Sequence, residues 1–371
     1  MNKMVYISDF ELITPLGNDS AEFFHGLLSG RTAFSIPAHF EARGVPAGVI
    51  HALDNGNNSY SRAERLLQML AEKSPHIVAL PQNVPLFLAT TVGAIDLIER
   101  GCVFDSCQYL LQKAGEIFRK KQCFLTSAAC ASGQSAVCAA AKLIKSGQCN
   151  EAVIIGCDIC SEFVTSGFSS LGALSQNKQC LSYYCERDGL LLGEAAGMAL
   201  LRGVSAEQTN EAKMIHVAAF DNSCDATHIT APDTSGKLLA AGIERALEKA
   251  NFSLTDVGCI IGHGTGTKYN DIAELSAIRM LWNEQKIPLF SLKANVGHTL
   301  GATGILQLAA GCQILRSKDI PPQVSGSHPE PMAQGLIANT PRKFSSNARG
   351  ILSINIGFGG INSIAALEVL S

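Results

Sequence analysis

One cysteine and two histidines, each set among glycines or other very small residues, are the groups in this chain best suited to chemistry. Cys130 stands in Thr126-Ser-Ala-Ala-Cys-Ala-Ser-Gly133, at the mouth of a long stretch of small residues that reads as a helix. His263 stands in Gly262-His-Gly-Thr-Gly-Thr267, and His298 in Lys293-Ala-Asn-Val-Gly-His-Thr-Leu-Gly301. Glycine adopts φ > 0 without steric cost and lets backbone come close to a reacting atom. One nucleophile and two acid/base or hydrogen-bonding groups in tight turns suit thioester chemistry. The unpaired N–H groups of a helix start favour a thiolate, so Cys130 is expected to titrate below the ordinary ~8.5.

These groups need a scaffold, and composition bounds it. At 371 residues the chain holds one large domain or two fused halves. Hydrophobic residues make up 47% and charged residues 16%, so much of the chain must be buried. A net charge of −3 offers no basic excess for general nucleic-acid binding. The apolar runs, such as Ala152-Val-Ile-Ile-Gly156, are strand-length, and no membrane span or secretory signal is read. Thirteen irregularly spaced cysteines suggest reduced thiols in a cytoplasm. Cys157-Asp-Ile-Cys160 has redox-motif spacing, but it follows a buried strand with no second pair at a matching distance, and reads as packing thiols.

Strands and helices alternate along the chain. Strands are expected at Val5–Ser8, Pro85–Ala89, Cys123–Ser127, Ala152–Gly156 and Leu190–Leu201, with helices at Ser20–Ser29, Ser61–Glu72 and Ala131–Lys145. Then come strands at Ile215–Phe220, Val257–Ile261, Leu289–Leu292, Ile351–Ile356 and Ser363–Val369, with helices at Ser235–Ala250, Asp271–Trp282 and Ala302–Leu315. The Ala/Gly-rich helices after Cys130 and His298 end alike, in Lys-Leu-Ile-Lys-Ser-Gly and Gln-Ile-Leu-Arg-Ser-Lys. Neither carries long polar side chains through its middle, so both are expected to be buried on most sides. The expected fold is α/β: duplicated halves, 1–204 and 205–371, with the two small-residue helices sandwiched between two sheets.

The motifs, in this order, resemble a β-ketoacyl-acyl-carrier-protein synthase of the discrete elongating kind, in the thiolase-like superfamily. The matching segments run the length of the chain: Thr14-Pro-Leu-Gly17, the Ala-Cys-Ala-Ser-Gly block, Glu186-Arg-Asp-Gly189, Gly193-Glu-Ala-Ala-Gly197, the two histidine turns, Asn270-Asp271 and Gly357-Phe-Gly-Gly360. The resemblance implies a five-layer αβαβα fold of duplicated βαβαβαββ halves and a homodimer, or a heterodimer with a second ketosynthase-like subunit. It implies a decarboxylative Claisen condensation of an acyl-Cys130 thioester with a malonyl-carrier in fatty acid, polyene or polyketide-type synthesis. Cys130 would take the acyl chain, and His263 and His298 would hold the malonyl thioester carbonyl, with Lys293 orienting His298 or joining the polar network. The N–H groups of Cys130 and Phe358 would form the oxyanion hole, the Phe358 ring would gate the acyl pocket, and Thr265 and Thr267 would bind the phosphopantetheine arm. Asp271, Glu274 and Gln307 would support these groups from behind. No metal or organic cofactor is implied beyond the phosphopantetheine of an acyl carrier protein. That acidic partner is expected to dock on Arg62 and Arg65, or on the basic run at Arg119 and Lys120.

The chain departs from the family pattern at three places. Gln307 stands where the family has a glutamate that meets the lysine, so a weakened link to Lys293 is expected. Ser182-Tyr-Tyr-Cys185 replaces a Pro-aromatic-Asp lead, and the segment between Gly93 and Cys130 is short. Two other readings stay open: a non-catalytic chain-length-factor-like partner subunit, and a coenzyme A-dependent thiolase with Cys312 as its late cysteine.

Overall fold

The structure, a computed structural model, describes residues 3–54, 59–205, 214–324 and 326–369. The first five strands are β1 (Met4–Ile13), β2 (Leu86–Ala89), β3 (Cys123–Thr126), β4 (Glu151–Asp158) and β5 (Ala195–Val204). The next five are β6 (Ile215–Cys224), β7 (Val257–Ile261), β8 (Leu289–Phe290), β9 (Asp319–Ile320) and β10 (Arg342–Lys343), followed by β11 (Gly350–Gly357) and β12 (Ile361–Val369). Apart from β9 and β10, which pair with each other, the strands run β3-β2-β4-β5-β1-β6-β12-β11-β7-β8. This order reads the same from either end once the second half is numbered afresh, which is the mark of a duplicated unit. The halves are joined edge to edge where Tyr6 faces His216 and Ile7 faces Ile215.

The helices are α1 (Ser20–Leu28), α2 (Arg62–Lys73), α3 (Pro75–Val78), α4 (Ile95–Glu99), α5 (Ser106–Ile117), α6 (Ser132–Lys145) and α7 (Glu162–Ser170). In the second half come α8 (Lys237–Ala250), α9 (Lys268–Trp282), α10 (Lys293–Val296) and α11 (Thr303–Ser317). The small-residue helices α6 and α11 form the middle layer. Helix α6 packs on β2, β4 and β5 and also on β12, while α11 packs on β11 and β12 and also on β4 and β5. Their backbones touch: a Cβ added to Gly304 would lie 2.4 Å from the Gln134 nitrogen. That approach explains the composition, since longer side chains would hold the helices apart. Outside the sheets, α2 and α5 cover one face with Leu66, Leu67 and Leu110, and α8 and α9 cover the other with Ile243, Leu247 and Ile278. The result is the expected five-layer thiolase-like arrangement.

Several element boundaries differ from the sequence reading, two of them for identifiable reasons. Strand β1 runs on to Ile13, past the expected end at Ser8, because a register shift between Ile7 and Asp9 lets Asp9 and Glu11 stay outside the core. Strand β5 starts at Ala195, not Leu190, because Glu194 is drawn aside to bind Arg62 and the Ile50 N–H. Helices α3, α4, α5, α7 and α10 lie where no helix was expected.

Candidate active site

Cys130 follows β3 and a tight turn, two residues before α6 begins. The turn holds Ala129 at φ 49°, a left-handed conformation that costs a non-glycine residue of order 1 kcal/mol. Ser132 fastens it: its hydroxyl accepts from the Ala128 N–H at 2.8 Å and donates to the Ala129 carbonyl at 2.5 Å. The thiol is buried, and burial pushes it up to about 11. Lys293, the Phe358 N–H and the Cys130 N–H pull the other way, towards thiolate. The expected lowering is therefore reversed, because desolvation outweighs the helix start. The two N–H groups that favour the charged sulfur are the pair expected to form an oxyanion hole.

His263 lies two residues past the end of β7 and is gripped through its backbone. Glu274 of α9 accepts from the His263 N–H at 2.6 Å and the Gly264 N–H at 2.9 Å, and Asp271 accepts from the Thr265 N–H at 2.9 Å. The Tyr183 hydroxyl donates to Glu274 at 2.7 Å and accepts from the Gly264 N–H at 3.0 Å, while the Tyr183 N–H donates to Asp271 at 2.9 Å. Lys293, fully buried in α10, puts its Nζ 3.1 Å from His263 Nδ1 and donates to the His263 carbonyl at 2.5 Å.

His298 follows Gly297, whose φ is 80° and whose missing Cβ would meet the Leu192 carbonyl at 2.2 Å. The His298 N–H donates to the Leu191 carbonyl at 2.7 Å. Its Nδ1 accepts from the Leu300 N–H at 3.2 Å, with the Thr303 hydroxyl at 3.4 Å. Burial, then Lys293, drives both imidazoles well below the ordinary histidine range, so both are neutral. A backbone N–H and an ammonium can only donate, so Nδ1 is the acceptor in each ring and Nε2 carries the proton. The ring centroids lie 5.5 Å apart, nearly perpendicular.

Cys130, His263, His298, Thr265, Thr267 and Phe358 line one cavity of about 490 Å³. The hydroxyls of Thr265 and Thr267 meet at 2.8 Å on its wall. Lys293, Asp271 and Glu274 lie behind it, fully buried.

Three expectations need correcting. Gln307 does not serve Lys293: its amide donates to the carbonyls of Gly262 at 2.8 Å and Ile354 at 3.3 Å. The carboxylate that most favours the Lys293 charge is Glu274, although burial lowers the ammonium overall. Arg62 is not a docking residue. It is 5% exposed and bound to Glu194 at 2.7 Å and Asp54 at 2.9 Å. Lys120, also 5% exposed, donates to the carbonyls of Ile77, Val78, Leu80 and Phe118, closing the ends of α3 and α5. Arg65 lines a separate cavity of about 400 Å³, and Arg119 is exposed.

Sequence reasoning missed Phe168, Tyr183 as a support, and Asn355. Phe168 lines the cavity, stacks on Phe358 at 5.7 Å and meets His298 edge-on at 6.3 Å. It sits in α7, whose pattern gave no sign of the site.

The chain matches two family descriptions, "Beta-ketoacyl synthase, N-terminal domain" over residues 123–207 and "Beta-ketoacyl synthase, C-terminal domain" over residues 214–327. It is 26% identical to the tetracenomycin polyketide synthase ketoacyl synthase alpha subunit of Streptomyces glaucescens, covering 98% of this chain and 97% of that one. It is 27% identical to 3-oxoacyl-[acyl-carrier-protein] synthase 2 of Staphylococcus aureus over 66% of this chain, spanning 62% of that relative's length. The ishigamide ketosynthase/chain length factor structure matches over the whole of both chains with a TM-score of 0.88 and 22% identity. A ketosynthase in complex with its chain length factor from Xenorhabdus doucetiae matches with a TM-score of 0.83 and 24% identity, over 99% of this chain and 98% of that one. Both family domains occur in order around a shared cysteine–histidine cavity, and the chain belongs to the β-ketoacyl synthase family.

Proposed function

We propose that the protein is a 3-oxoacyl-[acyl-carrier-protein] synthase. The observation that carries this reading is the joint presence, in one cavity, of a thiol backed by two N–H groups and two neutral imidazoles whose Nδ1 atoms are already occupied. Cys130 attacks the thioester of an acyl carrier: the Sγ–acyl bond forms, and the carrier thiol leaves with the proton. A malonyl-carrier then binds with its phosphopantetheine arm along Thr265 and Thr267. His263 and His298 donate from Nε2 to its thioester oxygen, the bond to the carboxylate breaks, CO₂ leaves, and the electron pair enters an enolate. Preorganised donors at such an oxygen are worth about 3–4 kcal/mol each. The enolate carbon attacks the acyl-Cys130 carbonyl, the N–H groups of Phe358 and Cys130 hold the tetrahedral oxyanion, and Sγ departs to give the β-ketoacyl-carrier. No step requires a metal or organic cofactor.

The partners are an acyl carrier protein and a second subunit, either another copy or a ketosynthase-like chain. Strand β3 ends the sheet with Phe124 44% and Leu125 40% exposed, an open edge that a partner strand can extend. Of the basic residues considered for the carrier, Arg65 and Arg119 remain. We divide the chain at 204/205 and place it in the cytoplasm, where thirteen unbridged thiols stay reduced; among the described residues no helix is long and apolar enough to cross a membrane. The thiolase reading is disfavoured because Cys312 is buried inside α11 with its thiol pushed up to about 12. A non-catalytic partner subunit has no use for the cysteine–histidine set.

Mass spectrometry of the intact protein after exposure to acyl-carrier tests the reading. An acyl mass that maps to Cys130 and vanishes in Cys130→Ala is expected; acyl-enzyme formed by the variant overturns it.

A further inference from the structure

Strand β11, Gly350-Ile-Leu-Ser-Ile-Asn-Ile-Gly357, is apolar except at Ser353 and Asn355, two residues apart and therefore on one face. That face meets the central helices, and three buried carboxamides lock together there. Gln134 of α6 spends its NH₂ on the carbonyls of Ser353 at 3.1 Å and Ser363 at 2.6 Å. Gln307 of α11 spends its own on the carbonyls of Gly262 and Ile354. A carbonyl can only accept, so both glutamine Oε1 atoms are fixed as acceptors. Gln134 Oε1 accepts from Asn355 Nδ2 at 3.2 Å, and Gln307 Oε1 accepts from the same nitrogen. Flipping Asn355 would set its oxygen against both of theirs. Asn355 Oδ1 is thus turned away from the amides, and it is buried with no hydrogen-bond partner.

What lies beside that oxygen follows from register. In the parallel pairing of β7 and β11, Ser353 is level with Ile261. The Gln307 amide bridges the carbonyls of Gly262 and Ile354 just beyond that pair, so the same register, continued past the end of β7, brings Asn355 towards His263, one strand spacing (~4.8 Å) across. A buried acceptor without a partner is rare in native proteins and calls for an explanation. The Asn355 side chain also favours proton binding by the His263 ring.

We propose that Asn355 is a positioning residue for His263, locked by Gln134 and Gln307 so that its Oδ1 flanks the ring and fixes the ring's orientation. The inference rests on the decarboxylation assigned to His263 above. Neutral amides suit this work: each presents a donor end and an acceptor end, and the chain of orientations runs without a charge from backbone carbonyls to the histidine.

The test uses the purified full chain carrying Asn355→Leu, Gln307→Leu or both. Malonyl-carrier decarboxylation should fall on the order of tenfold or more in Asn355→Leu, through kcat with KM little changed, because small misplacements at a reacting group carry such penalties. Acylation of Cys130 should stay within about twofold of wild type. The double variant should be no slower than Asn355→Leu alone, since Gln307 acts through Asn355. Unchanged decarboxylation, equal loss of both half-reactions, or multiplied losses in the double variant overturn the proposal. Should Asn355→Leu fail to fold, Asn355→Ser must show the same split. A second readout needs no turnover: the Nε2–H proton shift of His263 should move in the Asn355 variant while Nδ1 stays the acceptor for Lys293, and unchanged shifts overturn the positioning role. A wild-type chain that does not decarboxylate, with shifts that still move, sinks the assigned reaction while sparing the positioning of His263.

Discussion

The Lys293 ammonium lies 3.1 Å from Nδ1 of His263 and donates at 2.5 Å to the carbonyl of the same residue. An ammonium has no lone pair to offer, so His263 Nδ1 must accept and the ring proton must sit on Nε2. Burial first, and then the same charge, holds His263 and His298 neutral, and the charge opposes burial at Cys130 by pulling the thiol towards its anion. Lys293 thus acts on all three groups while lying outside the cavity they line.

Lys293→Met should therefore impair both half-reactions unequally. Decarboxylation should fall about 10²-fold, the scale of losing one oriented donor. Thiol alkylation at fixed pH should slow more modestly, because one of three influences favouring the thiolate is gone. Single-turnover assays of each half-reaction check this; a variant with wild-type decarboxylation would remove Lys293 from the account.

Cys130 should react as a high-pKa thiol. Its folded value is raised to about 11, so its thiolate is scarce at neutral pH and grows as pH rises. Alkylation of Cys130 by iodoacetamide should accelerate about tenfold per pH unit from neutrality upward, since the thiolate is the nucleophile. A plateau below pH 8 would show that the helix start outweighs burial after all.

Gln307→Glu should damage the protein. Its amide donates to two buried carbonyls, and a carboxylate there would confront both oxygens with nothing to donate. Each buried group left unsatisfied costs about 1–3 kcal/mol. The melting temperature and the decarboxylation rate should both drop; a faster enzyme of unchanged stability would mean that a carboxylate there reaches Lys293 and strengthens the site.

How much of this was legible in the sequence depends on how local each signal is. The duplicated α/β architecture followed from alternation and from two small-residue helices, because close helix packing writes itself into composition. Cys130, His263 and His298 were legible because tight turns require glycine or very small neighbours. Arg62 and Lys120 misled because charge in a sequence says nothing of partners: Glu194 lies 132 residues from Arg62. The thiol's direction of shift was misjudged because burial is set by the whole fold, whereas a helix start is local. Asn355 left a faint trace, two polar residues at alternate positions of a buried apolar strand, but its meaning needed Gln134 and Gln307, which only the fold brings together.

On this mechanism the two histidines perform decarboxylation while the cysteine carries the acyl chain. The most direct test is to give malonyl-carrier to the purified chain alone and follow its conversion to acetyl-carrier by mass. Wild type should convert it, His263→Ala and His298→Ala should each lose about a hundredfold or more, and both variants should still accept an acyl group on Cys130. Wild-type protein that leaves malonyl-carrier intact, or histidine variants that lose acylation and decarboxylation equally, would contradict the account.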